Sequence, residues 1–122
     1  MQTLERLFST TQKERMLAAI PQRVSCRAFS AEPSPADWAA LAYAASRYTL
    51  PGARLLLMNC PEELFTGTLL NMGRVTGCRA VAVVAASSTV ENSRIYAGIT
   101  GEALTLEAVS MGLGACWISG TY

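Results

Sequence analysis

The chain has 122 residues, 51% of them hydrophobic and 16% charged, with a formal net charge of +1. That is one domain's worth, residues 1–122, with apolar content for a packed core and without the basic excess of a general nucleic-acid binder. The apolar run AVAVVAA (80–86) is far short of the about 20 residues that a membrane-crossing helix needs, and MQTLERLFST lacks the basic-then-apolar order of a secretory signal. A cytoplasmic protein is expected, with neither nucleic acid nor membrane as a partner.

In chain order, the spacing of Met16, Leu17 and Ile20 predicts a helix over 10–20, stopped by Pro21. RVSCRAF (23–29) reads as an extended segment. In PSPADWAALAYAASRY, Ser34 is a helix cap, Pro35 the first helical residue and Asp37 a first-turn acid. Trp38, Leu41, Ala42 and Ala45 then recur at helical spacing. Leu50-Pro51-Gly52 is a turn, ARLLLMN a buried strand, PEELFTGTLL a short helix and NMGRVTG a loop. CRAVAVVAAS (78–87) is apolar on both faces, as a central strand is. A long helix follows over 92–111, with Ile95, Ile99, Ala103, Leu106 and Val109 or Ser110 toward the core and Glu102 and Glu107 on the polar side. Glycine inside a helix costs about 1 kcal/mol, so Gly98 and Gly101 call for a packing reason. Gly112 suits the left-handed residue that ends a helix, Leu113 the apolar contact after it, and ACWIS a short strand. The class is α+β or a three-layer α/β arrangement.

Two features bear on chemistry. The chain has no histidine, which removes imidazole acid–base catalysis and any Ser-His or Cys-His pair; a carboxylate, a lysine or a cofactor would have to act. Cys26, Cys60, Cys78 and Cys116 are widely spaced with no CxxC pair, so no metal site is expected, and the thiols are expected to be reduced, Cys26 and Cys116 as buried small hydrophobes. If RVSCRAF is extended, Arg23, Ser25 and Arg27 share one face. That face is either the wet side of an edge strand or a cradle for an anion.

RVSCRAF is similar to the R-x-S-x-[RK]-x-F segment of nitroreductase-family flavoproteins. YAGITGEALTLEAVSMGLGACWISGTY resembles their long central helix and its A-x-x-x-GLG-[ST]-CW-[IL]-G-G turn, and NMGRVTG their glycine-and-lysine loop with arginine in place of lysine. The resemblance covers about residues 12–122. It implies a three-layer α/β/α sandwich lacking its C-terminal part, since members of the family continue beyond the position of Tyr122. It also implies bound FMN, NAD(P)H as electron donor, a nitroaromatic or quinone-like small-molecule acceptor, and a homodimer. By position, Arg23, Val24, Ser25 and Arg27 would belong to the FMN site, with the two arginines and Ser25 at the phosphate, ribityl chain and ring edge. Arg74 would approach the pyrimidine side, with Asn71 nearby, and Ile118, Ser119 and Gly120 would lie against the ring. No side chain is assigned a catalytic step.

The chemistry is consistent with that assignment. A dianionic phosphate is best met by planar guanidinium forks, each worth about 1.5–3 kcal/mol. A backbone amide close to a ring needs a residue as small as Gly120. With a cofactor supplying the redox chemistry, the absent histidine is no obstacle. The family's Asn-x-Gln-Pro-Trp stretch is replaced here by RYTLPGARL, and Ser119 stands where glycine or glutamate is usual. Two other classes remain open at this point: a flavin-binding module without turnover, and a dimerising domain without cofactor.

Overall fold

A computed structural model describes residues 7–61 and 75–118. The elements are α1 (Thr10–Ala19), a 3-10 turn (Ile20–Gln22), α2 (Pro35–Arg47), β1 (Ala53–Asn59), β2 (Ala80–Ala86) and α3 (Ser93–Ser110), a mixed α+β arrangement. The predicted helix in PEELFTGTLL falls mostly outside the described residues.

Each helix begins and ends for a chemical reason. Ser9 Oγ accepts from the Gln12 N–H at 3.2 Å while Gln12 Oε1 accepts from the Ser9 N–H at 2.7 Å, a reciprocal cap that satisfies donors left over at the start of α1. Ser34 caps α2 by accepting from the Asp37 N–H at 3.1 Å, with Pro35 at the first helical position. α3 ends at Gly112, whose φ of +85° is left-handed. There the Leu113 N–H donates to the Ala108 carbonyl at 3.0 Å and the Gly112 N–H to Val109 at 2.9 Å, the paired closure that a left-handed glycine permits.

β1 and β2 pair antiparallel, from Ala53 opposite Ala86 to Asn59 opposite Ala80. Alternation sends Leu55 and Leu57 toward the core and leaves Leu56 and Val83, which face each other across the ladder, 59% and 46% exposed. Both strands meet α3, and no described element covers the outer sheet face. The expectation of a central strand buried on both faces is therefore corrected: among the described residues β2 has one strand partner, β1. The described part of ACWIS, 115–118, is not a strand but contributes a single parallel bridge, Ala115 to Ser25.

The core lies where the three helices meet the inner sheet face, around Met16, Leu41, Tyr48, Leu50, Leu104 and Leu106. Four expected core residues lie elsewhere. Leu17 and Ile20 are exposed, because α1 buries a narrow face built on Met16 and Ala19. Ala42 is exposed while Ala44 is buried. Ile95 is 62% exposed: it lies two positions from both Ser93 and Ala97, about 200° around the helix from the face they bury.

Candidate functional site

RVSCRAF is strung between two neighbours. The Cys26 N–H donates to the Ala115 carbonyl at 3.0 Å. Three residues on, the Phe29 N–H donates to Thr76 at 2.9 Å, and the Thr76 N–H returns to the Arg27 carbonyl at 2.8 Å. The segment thus leaves the stretch after α3 and joins the stretch before β2 within one bridge's length. The change of partner twists it. Its half-buried residues are Arg23, Cys26 and Phe29, a spacing of three, while Val24, Ser25, Arg27 and Ala28 are exposed. The two-residue alternation expected to put Arg23, Ser25 and Arg27 on one face is replaced by this three-residue pattern.

Beside the segment is a cavity of about 620 Å³, with Cys26, Phe29, Leu57, Val84, Trp117 and Ile118 among its walls. It falls within the size range of small-molecule sites, and such sites have largely apolar walls. Arg79, just before β2, supplies a cation to the lining. Cys26 and Cys116 are half-buried wall residues, not the fully buried hydrophobes expected.

Trp117 forms part of the rim. Its ring lies across Gly101 of α3, where an added methyl group would overlap it and sit 3.2 Å from Val84 Cγ2. This close approach is the packing reason that the helical glycine at this position calls for. The Trp117 indole N–H donates to Glu102 Oε2 at 2.7 Å, and Arg23 Nε stands 3.9 Å from Glu102 Oε1. Glu102, expected as a plain solvent-facing residue, therefore links the Arg23 segment to the turn after α3. The Arg23 distance is that of an ion pair without a hydrogen bond, and such a pair at a surface contributes little.

The expected site residues are brought together in part. Arg23 meets the Trp117 rim through Glu102, and Ile118 lines the cavity. Ser25 reaches the same turn through the backbone bridge to Ala115. Val24 is 70% exposed, and Arg27 is exposed next to the Thr76 bridge. Asn71, Arg74, Ser119 and Gly120 lie outside the described residues. Arg79 and Glu102 were missed as site residues. A cation directly against an otherwise apolar strand was the available signal for Arg79; nothing in the helix pattern singled out Glu102.

A second polar cluster lies in the core. Glu107, expected on the polar side of α3, is 4% exposed. Its Oε1 accepts from the Tyr48 hydroxyl at 2.9 Å, and Arg15 Nη2 donates to Oε1 at 2.9 Å and Oε2 at 3.2 Å. Burial, then the hydrogen bond to Glu107 and that carboxylate's negative charge, push the Tyr48 phenol well above its usual range, with Arg15 opposing. Three hydrogen bonds offset the removal of the carboxylate from water. None of the three residues lines the cavity.

Among the described residues no group of His, Cys, Asp and Glu side chains forms a metal site, and no helix is long and apolar enough to cross a membrane. No family model, curated protein or solved structure matches the chain.

Proposed function

We propose that the chain is an FMN-dependent oxidoreductase of the nitroreductase type, taking hydride from NAD(P)H and giving it to a nitroaromatic or quinone-like acceptor, within a three-layer, homodimeric form of the fold. The observation that carries this reading is the Ser25–Ala115 bridge. It sets side by side the two stretches, far apart in sequence, whose residues resemble that family.

The residues present fit the group. Phe29, Leu57, Val84 and Trp117 give a 620 Å³ cavity apolar walls suited to a flat ring system. Arg79 in the lining and Arg23 at the rim are cations suited to its anionic parts. The loose Arg23–Glu102 pair competes weakly with a phosphate for the guanidinium. Ile118 and Trp117 would bound the ring, Arg23 and Arg27 would hold the phosphate end, and Arg74, Ser119 and Gly120 complete the proposed set. When bound, FMN supplies the hydride-accepting chemistry; the protein binds, orients and excludes water.

The test is FMN-dependent thermal stabilisation of the purified chain and of Arg27→Glu. Arg27 is exposed, so the variant is expected to fold. FMN at about 100 times its dissociation constant adds about 2.7 kcal/mol to the native chain, and much less to the variant. Equal stabilisation of both overturns the arginine assignment, and none in either overturns the flavin reading. A yellow protein that leaves NADH unconsumed with a quinone present is a flavin carrier and not an enzyme.

A further inference from the structure

We propose that Cys60 and Cys78 form a dithiol pair that a small-molecule disulfide closes into an intramolecular disulfide. Cys60 directly follows β1 and Cys78 stands two residues before β2, so both lie just past the ladder's last pair, Asn59–Ala80. The two chains stay joined there: the Cys60 N–H donates to the Arg79 carbonyl at 2.9 Å. Antiparallel partners about 5.5 Å apart, offset by one residue of about 3.4 Å, put the two Cα atoms roughly 6.5 Å apart. A disulfide spans Cα separations of about 4.4–6.8 Å. Beyond the strand ends side chains need not alternate, and burial first, then the nearby Cys60, push the Cys78 thiol up to about 11. Both are half-buried, not sealed, so a small reagent can reach them, and Cys78 also lines the cavity.

The reaction is ordinary exchange with a disulfide such as oxidised glutathione. The Cys60 thiolate attacks one sulfur of the reagent, whose S–S bond breaks and releases one thiolate. The Cys78 thiol then gives its proton to water, and its sulfur attacks Cys60 Sγ, displacing the second reagent thiolate. Two protein thiols are oxidised to one disulfide, and one small-molecule disulfide is reduced to two thiols. Burial alone still holds the Cys78 thiol protonated once Cys60 carries the reagent, so the second step quickens as pH rises.

The test incubates the full chain with oxidised glutathione, alkylates the remaining thiols and maps the linked peptides by mass spectrometry. The expected product has Cys60 joined to Cys78, with Cys26 and Cys116 alkylated, a raised unfolding midpoint, and reversal by dithiothreitol. In Cys78→Ser, checked for folding by circular dichroism, Cys60 retains a stable glutathione adduct that the native chain resolves. Four alkylated thiols in the native chain, a lasting adduct on native Cys60, or a bridge involving Cys26 or Cys116 would each overturn the proposal.

Discussion

Glu102 and Glu107 stand about 1.4 turns apart on α3, one at the cavity rim and the other in the seam where α1, α3 and the end of α2 meet. Both carboxylates receive a hydrogen bond from an aromatic residue and face an arginine, yet their surroundings differ. Glu107 is 4% exposed and takes three hydrogen bonds, two of them from Arg15. Glu102 remains half-exposed, keeps one hydrogen bond from Trp117, and holds Arg23 only at 3.9 Å. Water can replace every contact of Glu102 and few of those of Glu107. A buried ion needs all its partners; a rim ion can exchange them, which is what a residue beside a binding site must do.

The comparison breaks most readily at Glu107. Glu107→Leu leaves the buried Tyr48 hydroxyl without its acceptor and is expected to destabilise the fold by about 2–3 kcal/mol, read as a lower urea midpoint. A loss below about 1 kcal/mol would mean that the seam is as adjustable as the rim. The two helical glycines sharpen the contrast. Gly98 has open space where a methyl group would go, so Gly98→Ala stabilises the helix by about 1 kcal/mol. If the gain appears together with a loss of self-association, Gly98 is at a subunit contact. Gly101→Ala carries the same helical preference but displaces the Trp117 ring, so its gain vanishes and tryptophan emission shifts to the red. The smallest effect is at Glu102: Glu102→Ala changes stability by less than about 1 kcal/mol while altering Trp117 fluorescence. A loss as large as that of Glu107→Leu would erase the distinction.

Features governed by single residues were legible in the sequence. The Ser34 cap, Pro35 at the helix start and the left-handed Gly112 all stand as read, because each depends on backbone geometry within a few residues. The β1 and β2 segments were equally clear from their apolar runs. The faces of the helices were not. In helices rich in alanine and glycine, a small residue buries as readily as a large one, so Ala97 and Gly101 lie inside while Ile95 lies outside. The burial of Glu107 was invisible for a different reason: its donors come from Arg15 and Tyr48, which periodicity within α3 cannot register. At the candidate site, likeness to a family pointed to RVSCRAF and the CW turn, and the bridge between them is present. The three-residue rhythm of the segment depends on two different neighbours, which no local pattern contains.

Arg15 and Glu107 are 92 positions apart, and Ser25 finds its partner only at Ala115. On the ribosome, the stretch that carries Arg15 and Ser25 therefore emerges long before the groups that fix it in place. Pairings of such separation close slowly, so that stretch stays available to chaperones and proteases until translation has passed the helix that carries Glu107.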